Sequence, residues 1–137
     1  MFNRAEYVSD TEWNRFLEAS KNFATPNIFI NLRTIKRRFI QLKDSFPFAQ
    51  IYYAVKSNPG IPVIKMLAEL GSNFDIASRY ELDKVLALNV SPDKLSYGNT
   101  IKKAADVKYF YDKGVRMFAT DSKEDLKNIA KYAPASQ

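Results

Sequence analysis

With 137 residues the chain has the length of one ordinary domain, and its 46% apolar and 14% aromatic residues are typical of a globular protein with a buried core. It contains no cysteine and no histidine, which excludes disulfide bonds and argues against metal sites and histidine-dependent catalytic triads. No apolar run approaches the roughly 18 residues of a membrane span, and no signal-peptide core opens the chain. We therefore predict a cytoplasmic protein without a membrane partner.

The net charge of +6 raises the question of a nucleic-acid partner. Basic residues are spread over nearly every predicted helix and alternate with acidic ones. The densest basic cluster, at 33–39 (RTIKRRF), has helical spacing, with an apolar face at Leu32, Ile35, Phe39 and Leu42. A solvated helix face explains this cluster better than a phosphate-contacting surface does, so we predict no nucleic-acid partner.

Residues 1–31 are predicted to form a lead-in region with one helix and one strand. The stretch SDTEWNRFLEASKNF has the spacing of an amphipathic helix, which Ser9 or Asp10 is suited to cap. The stretch TPNIFINL follows as a short predicted strand. It leads into the basic helix at about 32–45, which opens the main domain, residues 32–137.

From residue 51 onwards, predicted strands end about every 20 residues, with one helix between each pair. The four strands are expected at 51–56, 73–77, 94–97 and 116–119. Repeated right-handed βα units form a parallel sheet, which is either an open doubly wound sheet or part of a (β/α)8 TIM barrel. We interpret the chain as an α/β protein that holds the first four units of such a barrel, because another strand is due at the final stretch YAPASQ.

Lys56 at the end of the first predicted strand, and Asp75 on the next strand, form a candidate site, because catalytic groups of parallel barrels lie at the carboxyl ends of the strands. Desolvation lowers the pKa of a lysine and makes its amine nucleophilic, while a carboxylate holds the charged form. The spacing alone favours a plain Lys56–Asp75 salt bridge and leaves the nucleophilic lysine open. Ser78 and Glu81 match an S-x-x-E capping box, and no glycine-rich phosphate loop is present.

Four stretches together resemble one known family: YYAVKSNP, GSNFDIASRYEL, LSYGNTIKK and GVRMFATDSKEDLKNIA. They resemble the N-terminal part of the alanine-racemase-like barrel of fold-type III ornithine, lysine, diaminopimelate and arginine decarboxylases. The resemblance runs from about residue 25 to the end of the chain, and YGNTIKK looks most like the bacterial ornithine/lysine branch. It implies pyridoxal 5′-phosphate as cofactor and decarboxylation of a basic amino acid, ornithine to putrescine or lysine to cadaverine, in polyamine biosynthesis.

The resemblance also implies roles for individual residues. Lys56 matches the lysine that bonds covalently to the cofactor, and Asp75 matches the aspartate beside it. Ala54 matches a small residue that leaves space next to the cofactor, and Glu81 matches the glutamate of the same motif. The family's ring-stacking histidine, its phosphate loop and the residues that a homodimer partner supplies lie beyond position 137, so we expect the chain alone to be inactive.

Two alternatives to a basic amino-acid decarboxylase remain from the sequence. One is a related enzyme of the same fold, such as a diaminopimelate decarboxylase or a racemase. The other is a non-catalytic protein that binds the cofactor or regulates an enzyme while keeping the barrel motifs.

Overall fold

The computed structural model describes residues 4–137. Six α-helices occur in this part of the chain: α1 (Asp10–Ser20), α2 (Leu32–Ser45), α3 (Ile61–Glu69), α4 (Arg79–Leu86), α5 (Ala104–Asp112) and α6 (Lys123–Tyr132). Four strands alternate with the later helices: β1 (Tyr52–Ala54), β2 (Asn73–Ile76), β3 (Leu95–Tyr97) and β4 (Met117–Phe118). Across the same residues, no helix is long and apolar enough to cross a membrane.

The four strands form one parallel sheet in the order β1-β2-β3-β4, and a helix follows each strand. Because every connection moves one strand further in the same direction and right-handed crossovers prevail, the helices between the strands lie on one face of the sheet. A doubly wound sheet would require a reversal of strand order, and these four strands show none. The predicted α/β barrel segment is confirmed.

The chain returns to the sheet after α6. The Gln137 amide donates a hydrogen bond to the Arg116 carbonyl at 2.7 Å, and the Phe118 amide donates to the Gln137 carbonyl at 2.9 Å. This is the alternating pattern of a parallel ladder. The stretch YAPASQ therefore carries the chain to the far side of β4, where the βα rhythm of the sequence places the next strand.

The two faces of the sheet differ in chemistry because successive side chains point to opposite sides. One face carries large apolar side chains against the helices; Phe74 and Ile76 are fully buried, and Tyr97 stacks on Phe110 of α5 at 3.8 Å between ring centroids. The other face carries a row of residues in register, one from each strand: Ala54, Asp75, Ser96 and Met117. The candidate site therefore lies on the face that the helices leave open.

The N-terminal helix is confirmed, with Ser9 rather than Asp10 as its cap. The Ser9 hydroxyl accepts from the Glu12 amide at 3.2 Å, and the Glu12 carboxylate accepts from the Ser9 amide at 3.1 Å. The hydrogen bonds at Ser9 lower the pKa of the Glu12 carboxyl below its ordinary value, because they stabilise its ionised form.

The predicted lead-in strand TPNIFINL is wrong, since residues 25–31 form no strand. Ile28 is 89% exposed and Ile30 is 50% exposed, so the alternating apolar residues have no sheet to pack into. A strand needs a hydrogen-bonded neighbour, and no described segment lies beside this one as a ladder partner. Instead, the side chain of Asn31 accepts from the Arg33 amide at 3.0 Å and caps α2, which begins and ends as predicted.

Candidate functional site

Lys56 lies just beyond β1, in a short 3-10 helix (Val55–Ser57), and not within the strand as predicted. The strand ends early because its last carbonyl, that of Ala54, accepts a hydrogen bond from the Ser57 hydroxyl at 2.7 Å. The Lys56 side chain is exposed, and among residues 4–137 no ion pair or hydrogen bond involves its ammonium. The turn therefore positions the backbone of Lys56, while the side-chain amine has no hydrogen-bond partner among the described residues.

Asp75 lies on β2, in register with Ala54 on one side and Ser96 on the other. Its Oδ1 accepts a hydrogen bond from the Ser96 hydroxyl at 2.7 Å. The carboxylate also lies directly over Gly98, where a β-carbon would come within 1.9 Å of Oδ1. The position of Asp75 therefore depends on the residues at the end of β3 as well as on its own strand.

The salt bridge between Lys56 and Asp75 that the spacing favoured is absent from the described part of the chain. The two residues nevertheless lie at the same end of neighbouring strands, because Ala54 pairs with Asp75 and Lys56 follows two residues later. Ala54 adds only a methyl group to the row beside Asp75. The predicted amine, carboxylate and small residue therefore come from the same end of two neighbouring strands.

Glu81 lies apart from this row, in the first turn of α4, and only half of the predicted capping box forms. The Ser78 hydroxyl accepts from the Glu81 amide at 3.3 Å, as expected. The Glu81 carboxylate, however, accepts from the amide of Ala77 at 2.7 Å rather than from that of Ser78. In a regular capping box the carboxylate accepts from the amide three residues earlier, whereas here it accepts from the amide four residues earlier. This hydrogen bond joins the end of β2 to the start of α4.

Three residues near the site were missed in the sequence: Ser96, Gly98 and Lys102. A signal for Ser96 exists, because it lies between the buried apolar Leu95 and Tyr97 and so must point to the open face with Asp75. Gly98 has no such signal, since the crowding by the Asp75 carboxylate appears only once the strands are paired. The described residues contain no cluster of three or more acidic side chains that would hold a metal ion.

The chain belongs to the family of pyridoxal-dependent decarboxylases, whose pyridoxal-binding domain matches residues 32–137. Among curated relatives, ornithine decarboxylase from Saccharomyces cerevisiae is 42% identical over 107 residues, which are 78% of this chain and 23% of that protein. Lysine/ornithine decarboxylase from Selenomonas ruminantium is 31% identical over 117 residues, covering 85% of this chain and 30% of that protein.

The crystal structure of lysine decarboxylase from Selenomonas ruminantium superimposes with a TM-score of 0.81 and 29% identity. The match covers 94% of this chain and 34% of that one. The fold is therefore that of the N-terminal part of these barrels. The chain spans between about a quarter and a third of the length of the relatives it matches.

Proposed function

We propose that the protein containing this chain is a pyridoxal-phosphate-dependent decarboxylase of ornithine or lysine, and that Lys56 holds its cofactor. The observation that carries the proposal is the Lys56 amine, which has no partner among residues 4–137 and lies on a hydrogen-bonded turn at the same end of the sheet as Asp75. The family match and the ornithine and lysine decarboxylases among the relatives support the reaction class.

The residues of this edge suit a pyridoxal group. A primary amine without a competing partner is the group needed to bond to an aldehyde, and the methyl of Ala54 leaves room for a flat ring on the open face. When bound, pyridoxal phosphate supplies an electron sink for the electron pair that remains when the substrate loses carbon dioxide. Lys56 and Ala54 would therefore hold and admit the cofactor.

Asp75 would act through its negative charge. A carboxylate within a few ångströms favours the ammonium form over the neutral amine. Since the Ser96 hydroxyl donates to Oδ1 of Asp75, the remaining oxygen is free to face an ammonium or a protonated ring. Asp75 would thus place a negative charge beside a cationic group of Lys56 or of the cofactor. The hydrogen bond of Glu81 to the Ala77 amide suits a supporting role, holding the β2–α4 loop beside the cofactor.

The proposal extends to the assembly and location of the whole protein. We expect a homodimer, on the basis of the resemblance to these decarboxylases, and a cytoplasmic protein, which fits the absence of cysteine. The partners would be a basic amino acid and the second subunit. Sedimentation of the full-length protein at micromolar concentration would test the homodimer, and a monomer carrying full activity would contradict it.

The decisive experiment replaces Lys56 by arginine in the full-length protein. Arginine keeps the positive charge near Asp75 but cannot bond to the cofactor aldehyde. We expect borohydride to fix the cofactor on Lys56 of the unmodified protein, and the variant to lose this adduct and roughly a thousandfold or more in kcat, the scale of losing an essential catalytic group. Lys65→Arg, on the exposed surface of α3, is the matched control.

Three results would contradict the proposal. They are full activity in Lys56→Arg, a reduced cofactor mapped to Lys65 or Lys102, and an unmodified protein that takes up no cofactor. An adduct on Lys56 without release of carbon dioxide from ornithine, lysine or diaminopimelate would instead support the non-catalytic alternative.

A further inference from the structure

A second lysine, Lys102, is buried at the same end of the sheet and has no place in the proposed chemistry. Its side chain is 0% exposed. Its ammonium donates three hydrogen bonds, to the Asn99 carbonyl at 2.9 Å, the Ala119 carbonyl at 2.6 Å and the Asp125 carboxylate at 2.5 Å. An ammonium has three N–H groups, so every donor of Lys102 has one acceptor. The ammonium therefore has no free donor.

The three acceptors come from three different parts of the chain. Asn99 lies in the loop after β3, Ala119 directly follows β4, and Asp125 lies in the first turn of α6. Asp125 is itself buried, with 8% of its side chain exposed. Loss of any one of these contacts would leave a buried charge less well compensated, so the ammonium ties the three segments together.

Gly98 connects the contacts of Lys102 to the candidate site. Gly98 precedes Asn99, and its amide donates to the Ile76 carbonyl at 3.0 Å. The Asp75 carboxylate lies against the Cα of Gly98, in the space that any side chain would occupy. A displacement of the loop after β3 would therefore alter the surface on which Asp75 rests.

We propose that Lys102 is a positioning residue, whose ammonium binds the loop after β3 to β4 and α6 and thereby holds Gly98 beneath Asp75. The part of this inference that concerns catalysis rests on the proposed function. The part that concerns the loops rests on the contacts of Lys102 alone.

The test uses the double variant Lys102→Met/Asp125→Ala in the full-length protein. Removing both charges avoids an unpaired buried carboxylate, so the variant is expected to fold. Lys103→Met, a neighbouring exposed lysine, is the matched control. Hydrogen exchange followed by mass spectrometry reports on the amides of Gly98 and Ala119, which donate to the Ile76 and Tyr97 carbonyls.

We expect exchange at Gly98 and Ala119 to rise at least about tenfold in the double variant, because these amides open locally once the ammonium is gone. The Ile64 amide in α3 should keep its rate, as should all amides in Lys103→Met. A uniform rise throughout the protein would show a purely global effect on stability and would overturn the positioning role, as would unchanged rates.

The catalytic part has its own measurement. With Lys56 intact, the double variant should still carry the borohydride-fixed cofactor, but its kcat should fall roughly ten- to a hundredfold, the usual cost of a small misplacement in an active site. An unchanged kcat would refute the link between Lys102 and Asp75. Absence of cofactor on Lys56 in the unmodified protein would contradict the proposed function instead, and the exchange rates would then decide the role of Lys102 by themselves.

Discussion

Lys56 and Lys102 follow strands β1 and β3 at the same end of one parallel sheet, yet their surroundings are opposite. Lys56 is exposed, and its ammonium has no partner among residues 4–137. Lys102 is fully buried, and its ammonium is saturated by two carbonyls and a carboxylate. Two lysines at the same end of the sheet thus differ: one ammonium is exposed without a partner in the described residues, and the other is buried and fully hydrogen-bonded. The difference lies in what the neighbouring elements offer.

The neighbours explain the contrast. Behind Lys102 lie the end of β4 and the first turn of α6, where Ser122 caps the helix by accepting from the Asp125 amide at 3.2 Å. The Asp125 carboxylate is then directed to Lys102. Asp75 lies on the strand beside β1; its Oδ1 accepts from the Ser96 hydroxyl, and it forms no ion pair with Lys56 in the described part of the chain. An ammonium with three acceptors has no free N–H group, as at Lys102, whereas no acceptor among residues 4–137 binds the ammonium of Lys56.

The largest effect should come from Lys102→Met. The substitution leaves the Asp125 carboxylate buried without its cation, and breaking a buried pair in this way lowers the free energy of unfolding by about 3–5 kcal/mol. Chemical denaturation of the protein measures the loss. Lys103→Met should change the same quantity by no more than about 0.5 kcal/mol. Equal losses for the two substitutions would contradict this contrast, because they would show that the buried ion pair of Lys102 contributes no more to stability than an exposed lysine does.

A smaller effect should appear at high pH. Burial first, and the nearby Asp106 carboxylate second, raise the pKa of Tyr97 to about 12. Its ring is 2% exposed, and the Lys102 ammonium lies 5.7 Å from its centroid. Folding favours the neutral phenol of Tyr97. Its contribution to the free energy of unfolding is therefore complete below pH 10, the ordinary pKa of a tyrosine, and is lost as the pH rises through about 12.

The size of this contribution is at most about 3 kcal/mol, from two pKa units at about 1.4 kcal/mol each. Lysines and other tyrosines titrate in the same range, so the free energy of unfolding of Tyr97→Phe should be compared with that of the unmodified protein at pH 9 and pH 11.5. The unmodified protein should lose more stability over this interval. If both proteins lost the same free energy of unfolding between pH 9 and pH 11.5, ionisation of Tyr97 would not contribute to the loss, which would contradict the prediction.

The smallest effect on folding should come from Lys56→Met. An exposed side chain without a partner contributes little to stability, so the free energy of unfolding should change by about 0.5 kcal/mol or less. The same denaturation experiment as for Lys102→Met measures it. Loss of the borohydride-fixed cofactor together with unchanged stability would sharpen the contrast between the two lysines. A loss of several kcal/mol would mean that Lys56 is a structural cation as well.

Local sequence patterns predicted most of the fold. The βα rhythm placed all four strands within a few residues of their observed positions, and the capping serines Ser9 and Ser78 were among the predicted caps. Ser78 with Glu81 and Ser122 with Asp125 show the limit of such patterns. In each pair the serine hydroxyl accepts from the amide three residues later. The acidic side chain then goes to the Ala77 amide in one case and to Lys102 in the other.

The sequence by itself determined the parallel βα architecture and most helix caps, because these depend on side-chain periodicity and on contacts within a few positions. It proposed Lys56 and Asp75 from their places at strand ends, and Ala54 and the cofactor role of Glu81 only through the family resemblance. Only the tertiary structure decided which lysine is buried, that Asp75 rests on Gly98, and that residues 25–31 form no strand. Each of these outcomes depends on whether a partner more than about ten residues away arrives within hydrogen-bond distance. Lys102 meets Asp125 only because β4 and α6 pack beside β3 and α5, and no local pattern in the chain encodes that meeting.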